Sequence, residues 1–149
     1  MDEVPETFEK VITTRDLRPK KKPERMNAGN SYERSQAVAL RAKILAKYSC
    51  ELDPGHKTFP STNGTQYMET HHVIPMSMQD LFEYSLDIDA NVACLCPTCH
   101  RMLHYGVGEE RDNCIRKLLN NRKDDLEKSG IAYCESDVLL AYGKMQKSS

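Results

Sequence analysis

Long apolar runs are missing from this 149-residue chain. Nothing in it approaches the ~20 consecutive apolar residues of a membrane-spanning helix, which excludes a helical span. The opening MDEVPETFEK is acidic and lacks the charged-then-apolar pattern of a secretion signal, so a cytoplasmic protein is expected. Internal repeats and low-complexity tracts are missing too, which excludes a repeat architecture. So is a surplus of charge. Lys and Arg number 21 against 22 Asp and Glu, net −1, and a globally basic nucleic-acid binder is excluded.

That average conceals a contrast. The segment RDLRPKKKPER, Arg15 to Arg25, holds six basic and two acidic residues, net +4, leaving net −5 for the remainder. Two prolines and almost no apolar side chains mark residues 1–30 as a weakly structured basic arm. The arm reads either as a solvated linker or as a strip of phosphate contacts through Lys20, Lys21 and Lys22.

With a hydrophobic fraction of 39%, residues 31–149 can bury the modest core of one domain. Asn27 to Ser31 reads as a turn with Ser31 as N-cap of a helix over 32–48, basic along one side through Arg34 and Arg41. Turn signals fill 50–64. Alternation over 65–74 predicts a strand, ended by Pro75. A connecting loop follows, with one helical turn around Asp80 to Tyr84. Residues 91–95 form a second strand, and Pro97 opens a helix through Tyr105, stopped by Gly106 and Gly108. Helices over 109–128, capped by Gly130, and 136–145 complete the chain. Ile115, Leu118, Leu119, Arg122 and Leu126 form the inward stripe of the first, and Val138, Leu139 and Tyr142 that of the second.

The chemistry is concentrated in two stretches. One reads E-T-H-H-V-I-P from Glu69. The other reads L-C-P-T-C-H-R-M-L-H and ends at His104. Four of the five histidines lie here, with Asn91 between the stretches. Six cysteines could build disulfides, but C-x-C-x2-C followed directly by His is metal spacing and no secretion signal accompanies it. Cys114 and Cys134 are expected to be small apolar residues on helices. Adjacent histidines on a strand point to opposite faces, so His71 and His72 divide their work. His100 and His104 are four apart on a helix, share one face and form a natural two-point metal grip.

This constellation resembles the HNH, or ββα-metal, endonucleases, over roughly Cys50 to His104. Its cysteine knuckle looks most like the McrA-type restriction subtype, and its E-x-H-H and H-x3-H also resemble the colicin nucleases. The resemblance implies an α+β fold: a ββα-metal core over 50–105 with a structural zinc site, flanked by one N-terminal and two C-terminal helices, the latter a 109–146 extension. It implies a DNA endonuclease of restriction or phage defence, acting on double-stranded DNA. A non-catalytic zinc-stabilised DNA-binding module is the alternative. By resemblance His71 is a ligand of the catalytic ion with His100 and His104, and His72 is the general base. Asn91 holds the loop that bears the base. Glu69 shares a strand face with His71 and either orients a ligand histidine or lies exposed. The catalytic ion is left open among Mg²⁺, Mn²⁺, Ni²⁺ and Zn²⁺.

One departure matters. Subtype members carry a second C-x2-C before the first strand, whereas here Cys50 leads into C-E-L-D-P-G-H. Cys50, His56, Cys96 and Cys99 are therefore the expected zinc ligands, with Cys94 as the alternative to His56. Arg34, Arg41 and Arg101 are candidates for phosphate contact beside the three lysines. A partner subunit, a fused targeting domain and a homodimer all stay open.

Overall fold

A computed structural model describes residues 12–24, Tyr32 and residues 34–147. The elements run α1 (Gln36–Leu45), β1 (Glu69–His72), a 3-10 helix (Met76–Leu81), a second 3-10 helix (Asp89–Asn91), β2 (Val92–Leu95), α2 (Pro97–Tyr105), α3 (Gly108–Lys128) and α4 (Glu135–Lys147). Strands β1 and β2 pair antiparallel, Glu69 opposite Leu95 and His72 opposite Val92. Helix α2 packs on both strands, which gives the expected ββα unit within an α+β fold. No helix among the described residues is long and apolar enough to cross a membrane.

The N-terminal helix is shorter than expected. Ser35, in extended backbone, caps it by accepting a hydrogen bond from the Val38 N–H, so Arg34 stands outside the helix. The expected Ser31 cap lies outside the described residues. Val38 and Ala42 of α1 close over Val92 of β2. The first strand is also shorter, because residues before Glu69 pair locally instead: the Tyr67 N–H reaches Phe59 O and the Ser61 N–H reaches Thr65 O. The helical turn expected near Asp80 to Tyr84 sits earlier, at Met76–Leu81, behind Pro75. Buried Gln79 then braces the following loop, donating to Tyr84 O and accepting from the Leu86 N–H.

In α3 the predicted stripe holds: Ile115, Leu118, Leu119, Arg122 and Leu126 are all buried. Gly130 ends it at φ +83, with the Ile131 N–H reaching back to Leu126 O, and a Cβ there would meet the Tyr84 ring at 2.5 Å. Buried Arg122 is the polar centre of the fold. One of its terminal nitrogens donates to the carbonyls of Asp89 and Ala90, and the other to Glu51 and to Val92 O. The Glu51 carboxylate also accepts the Cys94 N–H at 2.7 Å. One side chain of α3 thus ties the 50s loop to the turn before β2.

The loose basic arm is corrected where it is described. Residues 12–24 lie along the domain. Leu17 packs on the core, the Asp16 N–H donates to Asp89, Arg15 pairs with Asp125 at 3.1 Å, and Lys20 O accepts the Ser85 N–H. The reason is local charge matching. Asp16 takes Arg18 and Lys20, whose hydrogen bonds hold its carboxyl far below the usual range, and so removes much of the repulsion that would keep the segment extended in solvent. The rest of the expected arm lies outside the described residues. Arg41, expected as a phosphate contact, grips buried Asp89 at 2.9 Å.

Arg122→Met is expected to destabilise the domain by about 3–5 kcal/mol, because a mostly buried Glu51 is left without its cation and three carbonyls without a donor. Equilibrium urea unfolding measures this, and a loss below about 1 kcal/mol would mean that the network is replaceable.

Candidate metal centres

Helix α2 carries donors at both ends. At its N-terminus Cys96 is the cap residue, its sulfur accepting from the Cys99 N–H, so the C-x2-C loop turns both sulfurs to one side. Cys50 arrives from the loop after α1, and His56 from the turn begun at Asp53. Ligand atoms of Cys50, His56, Cys96 and Cys99 lie within 4.8 Å of one another. The Nδ1 of His56 is 3.3 Å from Cys99 Sγ and 3.6 Å from Cys96 Sγ. Burial would push the Cys50 thiol up, yet backbone N–H groups of Cys96, Asp53 and Leu52 hold it below the ordinary cysteine value. Cys99 is pushed up by burial and by the neighbouring sulfurs, a crowding that a bound cation relieves. Three soft sulfurs and an imidazole are a donor set that fits a tetrahedral metal ion.

Cys94 is not part of this set. It is fully buried and burial pushes its thiol up to about 12, so it acts as a small apolar residue against Glu51 and Arg122. Half-buried Cys114 packs against the core from α3. Cys134 is exposed and precedes α4, which begins one residue later.

The second cluster is His71, His100 and His104, again with ligand atoms within 4.8 Å of one another. The register of β1 turns Glu69 and His71 toward α2, where His100 and His104 share a face. The two Nε2 atoms of His100 and His104 are 3.2 Å apart. Two nitrogens bound to one tetrahedral ion at ~2.1 Å are separated by roughly 3.4 Å, so the pair is already set for one cation. His100 Nδ1 is anchored on Glu69 at 2.8 Å, and Glu69 also accepts from the Tyr67 hydroxyl. The His100 bond, then that of Tyr67, holds Glu69 below the usual carboxylate range, as a carboxylate orienting a metal-binding imidazole should be. His71 is buried, and burial, then His100 and His104, holds it well below the ordinary histidine range. His104 is lowered by burial and by His100. Such imidazoles are neutral, the form that binds a metal.

His72 has different company. Its Nε2 is 2.8 Å from Asp87 Oδ1, while the second oxygen of Asp87 accepts the Ser35 N–H. A carboxylate only accepts, so Nε2–H donates, which in the neutral ring leaves the lone pair on Nδ1. Fully buried Asn91 fixes the connection. It accepts from the Ile74 N–H and donates to the carbonyls of Ile74 and Leu86, clamping the start of the loop to its far end beside Asp87. Both histidines of the pair border one open groove of about 390 Å³, with His100, His104, Arg34 and Ser77 along it. Opposite strand faces thus separate their anchors without separating their workspace. Arg101 is exposed and borders a smaller groove with Glu69, His100, His104 and Tyr105. Lys21 and Lys22 are exposed, while Lys20 is paired with Asp16.

Asp87 escaped the sequence reading. Its only signal was an acidic residue four positions before Asn91, in a loop whose path depends on Gln79 and Asn91. Tyr142 escaped it as well, being read only as core. Burial pushes its phenol up, and its oxygen lies 2.6 Å from His71 Nε2.

Comparison with known proteins agrees with this geometry. Residues 52–106 match the family model described as HNH endonuclease. A stretch of 80 residues is 36% identical to the type IV methyl-directed restriction enzyme EcoKMcrA of Escherichia coli (strain K12), covering 49% of this chain and 27% of that enzyme. The matched stretch therefore spans about a quarter of that relative's length.

Cys99→Ser is expected to cost the protein the ion of its Cys/His cluster and to lower the thermal midpoint sharply, since binding there and folding of the sulfur-bearing loops are one equilibrium. Elemental analysis and a melting curve test this together. An unchanged midpoint in a variant without metal would mean that the cluster is not structural.

Proposed function

Starting from an HNH endonuclease-family domain at residues 52–106, we propose that this protein is a divalent-metal-dependent endonuclease that hydrolyses double-stranded DNA, in the service of restriction or phage defence. One observation carries the reading: a three-imidazole cluster and a separate, carboxylate-anchored His72 border the same groove. Ligands alone would fit a storage or structural site. A histidine kept off the metal and held by its own carboxylate fits a proton acceptor.

His72 takes the proton of the attacking water on Nδ1 as the oxygen adds to phosphorus and the 3′-oxygen leaves. Asp87 holds the ring and stabilises the imidazolium that forms. Asn91 keeps the Asp87 loop at its distance from β1. His71, His100 and His104 hold the divalent ion, which when bound supplies charge neutralisation at the phosphate and at the leaving oxygen. Imidazole donors favour Mn²⁺, Co²⁺, Ni²⁺ or Zn²⁺, and Mg²⁺ serves related enzymes. Zinc is the ion assigned to the Cys50, His56, Cys96 and Cys99 cluster, on the softness of its three sulfurs. Arg34 and Arg101, bordering the two grooves, contact the scissile strand, and Lys21 and Lys22 contact the flanking backbone.

A plasmid-cleavage assay over a panel of Mg²⁺, Mn²⁺, Co²⁺, Ni²⁺ and Zn²⁺ tests the activity. His72→Ala is expected to lower the single-turnover rate by about 10²–10⁴-fold with both metal sites still occupied. Near-normal cleavage by that variant would remove His72 as the base. Binding without cleavage by the unaltered protein, with every ion, would favour the non-catalytic module instead.

Lys21→Ala with Lys22→Ala is expected to weaken binding to DNA of any sequence. It should flatten the slope of log affinity against log salt by about two units, one for each lost phosphate contact. Point substitution is cleaner than truncation, because removing the segment also strips Leu17 and Asp16 from the fold. An unchanged slope would leave the lysines as solvent-facing residues of a structural strap.

A further inference from the structure

The last helix reaches the histidine cluster. Tyr142 of α4 is fully buried, and its hydroxyl makes two short contacts: 2.6 Å to Val73 O and 2.6 Å to His71 Nε2. The protons of this chain can be counted. A backbone carbonyl has none, so the hydrogen between Tyr142 and Val73 belongs to the phenol. The phenol has only that one, and it is spent. The contact to His71 must therefore be bridged by a ring hydrogen, and Nε2 donates to the phenol oxygen. A metal-binding imidazole is neutral and carries a single N–H. Its lone pair is then on Nδ1.

We infer that Tyr142 is a positioning residue for the metal centre, holding His71 as the Nε2–H tautomer so that Nδ1 is the atom offered to the ion. The inference rests on the proposed role of His71 as a ligand. Glu69 does the matching task for His100 with the nitrogens exchanged: Nδ1 is tied back and Nε2 faces His104. Each of these two histidines thus has its other nitrogen occupied, one by a carboxylate and one by a phenol relayed to a carbonyl. Tyr142 lies outside residues 52–106, the stretch that matches the family model. Ligand geometry here depends on a helix that the matched domain does not contain.

The test uses the full chain with its Cys/His cluster loaded with zinc and Mn²⁺ as the probe of the histidine cluster. Tyr142→Phe deletes one oxygen and keeps the ring. Calorimetric titration is expected to show Mn²⁺ affinity reduced by about 10–100-fold, with zinc content unchanged. Long-range ¹H–¹⁵N correlation of the imidazole nitrogens, on unaltered protein free of Mn²⁺, is expected to show His71 protonated on Nε2. Unchanged Mn²⁺ affinity in a folded variant overturns the inference, and so does a His71 protonated on Nδ1. Should the variant fail to fold, the tautomer measured in the unaltered protein decides. If His71→Ala binds Mn²⁺ as tightly as the unaltered protein, the ligand assignment beneath the inference falls, which is a distinguishable result.

Discussion

Arg122 is the constraint on which the other arrangements rest. A guanidinium buried in a small domain is tolerable only when its donors are used, and here they serve a carboxylate and three carbonyls. The acceptors belong to different segments. Glu51 follows the first metal-cluster cysteine. Asp89 and Ala90 form the turn that ends in Asn91. Val92 opens the strand facing β1. Were these segments held only by apolar contacts, each could slide. Directional bonds to one planar fork fix their relative positions, and Glu51 passes the constraint to β2 by taking the Cys94 N–H.

Helix α2 then works as a ruler between the two clusters. Cys96 and Cys99 belong to one, and His100 and His104 to the other, within nine residues of regular backbone. A cation held by the cysteines fixes the start of the helix and its rotation. The helical repeat then points His100 and His104 at β1. This is a physical reason for the Cys/His cluster to sit beside the histidine cluster. A nine-residue helix is too short to hold its own orientation, and an error of a few ångströms at His104 would open the three-imidazole set.

Much of this was legible in the sequence, for reasons that also explain the rest. Two donors of each cluster follow from short-range spacing, C-x2-C and H-x3-H, which local backbone geometry converts directly into shared faces, whereas Cys50, His56 and His71 come from the family resemblance. The stripe of α3, including its charged Arg122, follows from helical periodicity. What was missed depends on side chains far apart in sequence. The strap docks because Asp16 gathers Arg18 and Lys20 and because Asp89 accepts its backbone N–H, and composition alone reads such a stretch as solvated. Arg41 looks like part of a basic helical face until Asp89 is brought beneath it. Asp87 becomes the partner of His72 only through a loop whose course Gln79 and Asn91 dictate.

The residues that complete the centre extend well beyond the segment that matches the family model. Residues 52–106 contain both pairs of α2 donors, His56, Glu69, the His71–His72 pair, Asp87 and Asn91, which is every group assigned to the metal clusters or to proton transfer apart from Cys50. They do not contain Arg122, which fixes the loops, or Tyr142, which occupies the second nitrogen of His71. Nor do they contain Ser35, whose N–H steadies Asp87, or the strap that closes over the Asp89 turn. A ββα unit has only two short strands and one short helix with which to bury apolar surface, too little to hold six imidazole and carboxylate groups to within a few tenths of an ångström. Part of the precision comes from outside the unit, through single hydrogen bonds from neighbouring helices. The identity of such a support matters less than its position, because any buried donor or acceptor at the right distance performs the task.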